Sequence, residues 1–175
     1  RRGHQRGTMR VAVTGTPGTG KTTAVDAVET DLDVVHLNEV IKSEGFDTGR
    51  DDPRGSRVAD MDALGEWLGD RDCLVESHLA HHFPADRVVV LRCHPDDLET
   101  RLTERGESVE KARENAEAEA LDVVLSEAVA NHGRESVYEI DTTHRTPEEV
   151  AREIETVVAD EREPSAGTVD FIGWL

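Results

Sequence analysis

The chain has 175 residues, 36% of them apolar, and sets 38 acidic residues against 20 basic ones for a net charge of −18. That length fits one domain with its own core, and no apolar run approaches the roughly 18 to 20 residues of a membrane span. A surface this acidic repels bare nucleic acid over most of its area, so the expectation is a cytoplasmic protein that neither coats nucleic acid nor enters a membrane.

Only three of the 20 basic residues are lysines: Lys21, Lys42 and Lys111. Acid excess with lysine depletion points to a halophilic setting, where screening shortens self-repulsion to about 3 Å at 1 M salt. The protein is expected to lose structure in low salt. A melting temperature that stays flat from low to molar KCl would refute this.

Residues 1–8 are basic and lack apolar side chains. They read as a disordered extension ahead of Met9, the expected start of a domain over residues 9–160. From Arg10 strands alternate with helices. Val11-Ala12-Val13 reads as a buried strand, followed by a glycine-rich turn and a helix over about 20–30. Residues 33–37 hold a second strand and 38–44 a helix. Residues 46–54 read as a polar loop. Residues 56–68 read as an amphipathic helix with Val58, Met61, Leu64 and Leu68 on one face. A third strand covers 73–76 and a fourth 87–92. Pro95 opens a helix to about 104. Residues 108–131 read as one long helical segment rich in Ala and Glu, and 137–140 as a fifth strand. Thr146-Pro147-Glu148-Glu149 is a strong helix opening, with a cap, proline in the first turn and acids beside the positive end. The tail over 161–175 ends in Phe171, Ile172, Trp174 and Leu175, which suit docking on the body or on a partner. Cys73 and Cys93 read as two buried free thiols.

Strands separated by helices imply an α/β fold with a parallel sheet covered on both faces. Ligands in such sheets bind beyond the carboxyl ends of the strands.

Gly15-Thr16-Pro17-Gly18-Thr19-Gly20-Lys21-Thr22 matches Gly-x-x-x-x-Gly-Lys-Ser/Thr, with a strand before it and a helix after. Gly15, Gly18 and Gly20 let the backbone turn its N–H groups inward around phosphate oxygens. Lys21 places a full charge on the β- and γ-phosphates, Thr22 offers its hydroxyl to Mg2+, and Thr23 suits the α-phosphate. The motif indicates a nucleoside triphosphate but not the phosphate acceptor.

Glu76 ends the third strand and is the candidate to hold Mg2+ through water. His78, two residues on, can face the same pocket and position water or the transferring phosphoryl group. His78, His81 and His82 fall within five positions, which invites a zinc reading. With no Cys or fourth ligand nearby and Pro84 restricting the backbone, zinc is not expected, and His81 and His82 read as loop or core residues.

With these residues, the chain resembles the small adenylate kinase isoenzyme 6 family over about residues 9–159. The most specific parts are residues 15–23, the block Glu76-Ser77-His78 through Phe83-Pro84, and Arg105-Gly106 followed by Lys111, Glu114-Asn115 and Glu119. The resemblance implies a P-loop NTPase of three α/β/α layers around a five-stranded parallel sheet. A short monophosphate-binding segment falls near 36–56 and a lid near 104–114. It implies Mg2+-dependent phosphoryl transfer from ATP to AMP, ATPase activity, and a role in small ribosomal subunit maturation through ribosomal protein uS11. Carried over residue by residue, Gly18, Gly20, Lys21, Thr22 and Thr23 hold the ATP phosphates. Arg105 becomes the lid arginine, Glu76 the acidic residue associated with Mg2+, and His78 the family histidine. Four positions depart from the family pattern: Glu76 replaces an Asp, Glu107 a Tyr, and His81-His82 an Asp-Phe pair.

Arg101 lies one helical turn before Arg105 and can share its task. Arg50, Arg54 or Arg57 is expected to hold the AMP phosphate. A nucleotide-gated assembly factor and a small-metabolite kinase remain open as alternatives, since the phosphate loop is compatible with both.

Overall fold

Val11, Ala12 and Val13 have no exposed surface. Their strand runs through the centre of a five-stranded sheet in the computed structural model, which describes residues 9–51 and 57–175. In chain order the strands are β1 (Arg10–Gly15), β2 (Asp33–His36), β3 (Asp47–Asp51), β4 (Arg57–Ala59), β5 (Cys73–Glu76), β6 (Arg87–Arg92) and β7 (Val137–Asp141). The helices are α1 (Lys21–Asp26), α2 (Leu37–Glu44), α3 (Met61–Leu68), α4 (Pro95–Glu104), α5 (Val109–Ala120), α6 (Val123–His132) and α7 (Pro147–Val158).

The main sheet has the order β2-β5-β1-β6-β7, and every neighbouring pair is parallel. Alternation along its strands builds the three expected layers. Ala12, Val75, Val88 and Val90 pack with Leu37 of α2, Leu64 and Leu68 of α3, and Leu125 and Ala128 of α6. Val11, Val13, Leu74, Val89 and Leu91 face the other way, onto Ala24 and Val25 of α1 and Val150, Ile154 and Val157 of α7. Glu76 pairs in register with both Val13 and His36, so the carboxyl ends of β1, β2 and β5 meet at one edge.

Four local expectations need correction. First, α1 stops at Asp26 rather than near residue 30. Val28 N–H closes a tight turn onto the Val25 carbonyl, and Glu29 N–H donates to Glu155 Oε2 of α7 at 2.7 Å instead of continuing the helix. Second, the expected polar loop over 46–54 contains β3, which pairs antiparallel with β4. Third, the helix expected from residue 56 begins only at Met61. Asp60 caps it by accepting from Ala63 N–H at 3.1 Å, and Val58 stands in β4. Fourth, the long segment over 108–131 is two helices. Asp122 turns left-handed between them (φ 59°), a conformation Asp tolerates, and its carboxylate is held by Arg92 at 2.6 Å.

The α7 opening forms a complete capping box between Thr146 and Glu149. Cys73 and Cys93 are buried free thiols, and burial pushes the Cys93 thiol up to about 11. The tail docks on the body. Ser165 N–H donates to the Val137 carbonyl, Thr168 N–H to Glu139 Oε1, and the Trp174 indole to Asp96 at 2.7 Å. Among the described residues no helix is long and apolar enough to cross a membrane. The extension over residues 1–8 lies outside the described residues.

Candidate active site

The loop between β1 and α1 is shaped by close backbone approach. Gly15 has φ 153°, and a Cβ there would lie 2.7 Å from the Leu91 carbonyl oxygen of β6. At Gly18 (φ 97°) a Cβ would meet Leu98 and Leu102 of α4 at 2.9 Å, so only glycine fits either position. The loop is pinned from several sides. Thr19 Oγ1 donates to the Thr16 carbonyl at 2.9 Å, Thr16 Oγ1 to Glu119 Oε1 at 2.7 Å, and Arg101 Nη1 to the Gly18 carbonyl at 3.3 Å.

Lys21 starts α1, and its Nζ folds back over the loop to donate to the carbonyls of Gly15 (3.0 Å) and Thr16 (3.3 Å). Burial, reinforced by the positive charge of Arg105, lowers its pKa to about 8 against the opposing pull of Glu76 and Glu119.

Thr22 Oγ1 donates to Glu76 Oε1 at 3.3 Å. The same carboxylate oxygen lies 2.6 Å from His36 Nδ1, and His36 Nε2 lies 2.8 Å from Asp26 Oδ1. Burial works against a charged imidazole, but the hydrogen bonds to Glu76 and Asp26 outweigh it and raise the His36 pKa. His36 thus positions Glu76. This role was not readable from the sequence, because it arises from the pairing register of β2 and β5.

A cleft of about 280 Å³ collects Gly18, Gly20, Lys21, Thr22, Thr23, Glu76, His78 and Arg105 on one surface. Gly15 lies beneath it at the end of β1. The cleft also gains Asn38, which the sequence did not single out, and Lys111 and Asn115, which were marked only through the family resemblance, Lys111 within the expected lid. Asn115 is buried, and its Oδ1 has no hydrogen-bond partner while its amide donates to the Lys111 carbonyl at 3.0 Å.

A second cavity of about 280 Å³ shares Gly20 and Thr23 and is walled by Ala24, Arg101, Pro147 and Val150. Arg101 is spent on the carbonyls of Gly18 and Thr142. It lines this second cavity rather than standing beside Arg105 in the first. The side chains of Arg50, Arg54 and Arg57 lie outside the described residues. His81 and His82 fall on the 3-10 turn Ala80–His82, with His81 buried and His82 exposed.

A family model described as an AAA domain matches residues 11–122. A protein of Natronomonas pharaonis named "Putative adenylate kinase" is 70% identical over 164 residues, covering 93% of this chain and 98% of its own. A protein of the same name from Halobacterium salinarum is 57% identical over 169 residues, covering 95% and 100%. Among solved structures, shikimate kinase from Bacteroides thetaiotaomicron superimposes with a TM-score of 0.55 at 15% identity, over 86% of this chain and 98% of that one, a likeness of fold alone.

Proposed function

Since the chain belongs to the AAA domain family and to the family of the archaeal proteins named "Putative adenylate kinase", we propose that it is a Mg2+-dependent adenylate kinase moving the γ-phosphoryl group of ATP to AMP. One observation carries the reading. Lys21 from the loop after β1, the Thr22–Glu76 pair, and Arg105 from the end of α4 converge on a single cleft.

The residues fit the groups this reaction needs. Thr22 Oγ1 and Glu76 Oε1 are hard oxygen donors 3.3 Å apart, a set suited to Mg2+ that keeps several of its waters. The buried ammonium of Lys21 and the unpartnered Asn115 Oδ1 suit an anionic ligand that also carries hydrogen-bond donors. When bound between Thr22 and Glu76, Mg2+ would supply neutralisation of the phosphate charge. Lys21 then holds the phosphate end of ATP, and Glu76, steadied by His36, keeps its carboxylate aimed at Thr22. Arg105 offsets the charge that develops on transfer. The Arg105-Gly106 turn joins α4 to α5, so closure of the 104–114 segment carries Arg105 and Lys111 over the cleft and excludes water. The second cavity, which shares the lining residues Gly20 and Thr23 with the first, suits the nucleoside end of ATP.

The test is product analysis with ATP, Mg2+ and each of several nucleoside monophosphates in molar KCl. AMP-dependent formation of two ADP for each ATP is expected. Phosphorylation of a metabolite but of no monophosphate would overturn the reading. A second reading is favoured by the net charge of −18, which complements a basic ribosomal protein such as uS11. In that reading ATP hydrolysis gates binding, so phosphate release would not need a monophosphate, and capture of uS11 would differ with and without ATP.

The Lys21 pKa near 8 makes a separate prediction. The ammonium that meets the phosphates is fully present below that value and is lost above it. ATP affinity should therefore hold steady from pH 6 to 7.5 and weaken by up to about tenfold per pH unit beyond 8. Calorimetry should show proton uptake on binding in the upper range. Affinity that stays level to pH 10 would contradict the assignment.

A further inference from the structure

The Ala80–His82 turn presents two imidazoles to one carboxylate of α6. His81 Nε2 lies 2.8 Å and His82 Nε2 3.7 Å from Glu127 Oε1. The donor atoms of all three side chains lie within 4.8 Å of one another. Tetrahedral zinc holds nitrogen and oxygen donors at about 2.0–2.2 Å, which sets neighbouring donors about 3.3 Å apart. The two separations to Glu127 fall on either side of that spacing and the third pair lies within 4.8 Å, so side-chain rotations would have to draw the three donors together around the ion.

The ligands are also held in place. His81 is buried, and its other ring nitrogen lies 2.7 Å from Thr14 Oγ1, the kind of contact that orients a metal-bound imidazole. The His81 carbonyl lies 3.1 Å from Asn131 Nδ2 and 2.8 Å from His132 Nε2, which ties the turn to the end of α6. The rings of His81 and His82 lie 4.2 Å apart at a 36° tilt. A proton on His81 Nε2 would by itself satisfy the hydrogen bond to Glu127, and it leaves unexplained why a second imidazole edge turns to the same oxygen. A cavity of about 110 Å³ adjoins His82 and Glu127 and reaches Thr16 and Pro17 of the phosphate loop, with room for water.

We propose that His81, His82 and Glu127 form a binding site for a divalent cation of the zinc class, completed by water, which fastens the Ala80–His82 turn to α6 behind the phosphate loop. His81 binds through Nε2 as the tautomer whose Nδ1–H donates to Thr14 Oγ1, so a neutral imidazole changes tautomer without net proton release. The donor set of two imidazoles and one carboxylate suits zinc rather than Mg2+. Neither His82 nor Glu127 lines the phosphate cleft, so neither ligand takes part in the proposed transfer, although the adjoining cavity shares Pro17 and His78 with that cleft. Glu127 lies 46 positions from His81, which is why the histidine cluster looked short of ligands in the sequence.

The test uses the full chain, stripped by chelator and kept in excess Mg2+, with Co2+ as the probe. Binding of one Co2+ per chain is expected, with the intense visible bands of tetrahedral cobalt, bleached by one equivalent of Zn2+. His82→Ala and Glu127→Ala replace exposed side chains. Each should keep the fold and the ATP affinity and lose at least about tenfold in Co2+ affinity. In the unaltered protein, long-range proton–nitrogen spectra should show Zn2+ shifting the Nε2 resonances of His81 and His82. Absence of a saturable tetrahedral cobalt signal, its survival in both variants, or zinc shifts confined to other histidines would overturn the proposal.

Discussion

Replacing Lys21 with alanine is expected to lower kcat for ATP-to-AMP transfer by at least about 10³-fold while leaving the melting temperature unchanged or slightly raised. The two halves of this expectation have different origins. The ammonium is the buried cation of the phosphate cleft, and alanine offers nothing in its place. In the fold alone, however, burial opposes the charge, as its depressed pKa near 8 shows. An unfolded chain binds that proton more readily, so the native state carries a desolvation cost at neutral pH that alanine removes. Lys21→Arg should be about as inactive, because a planar guanidinium cannot occupy the space of a compact ammonium beneath the Gly15 and Thr16 carbonyls. Steady-state kinetics and thermal melts on the same preparations check both halves. A kcat within tenfold of the unaltered protein would remove Lys21 from the transfer step. A rise confined to KM would mean that it binds ATP and the transition state equally.

The sheet was legible where its residues are buried on both faces. The apolar runs of β1, β5, β6 and β7 have no other comfortable conformation. The starts of α4 and α7 were legible because Pro95 and the Thr146 capping box are local signals. What the sequence did not disclose was decided at a distance. The β3–β4 hairpin is too polar in β3 to alternate, so its pairing leaves no apolar trace. The break at Asp122 depends on Arg92, 30 positions earlier, and the early end of α1 on Glu155, 126 positions after Glu29. The site divides in the same way. The phosphate loop is contiguous and could be read, as could Glu76 once a loop was in hand, whereas Arg105 was marked as the lid arginine only by the family resemblance. His36 reaches Glu76 only through strand register, and Glu127 reaches His81 only through packing of α6.

Substituting Arg92 with alanine should destabilise the protein by about 3–5 kcal/mol, a fall in melting temperature of about 6–20 °C for a chain of this size. Arg92 is 1% exposed. It donates to Glu119 Oε2 at 2.9 Å, Glu139 Oε2 at 2.6 Å and Asp122 Oδ1 at 2.6 Å. Burial disfavours its charge, but Glu119, Asp122 and Glu139 more than compensate and raise its pKa. Without the guanidinium, Glu119 and Glu139 stay buried with no cation between them, and that orphaned charge is the main cost. Each carboxylate also anchors another segment. Glu119 accepts from Thr16 Oγ1 of the phosphate loop and from Cys93 N–H, while Glu139 accepts from Thr168 and Val169 of the tail. Arg92→Met combined with Glu119→Gln and Glu139→Gln should recover most of the lost stability, because it removes the charges together. ATP affinity should follow Glu119 rather than Glu139, since only Glu119 holds the loop. The deficit of Arg92→Ala should persist in molar KCl, because counterions do not reach a buried cluster. The exposed Arg113–Glu117 pair, at 3.7 Å, should by contrast contribute nothing measurable there. A fall of less than about 3 °C for Arg92→Ala would mean that the surrounding hydrogen bonds, rather than the guanidinium charge, hold the junction of β6, β7 and α5 together.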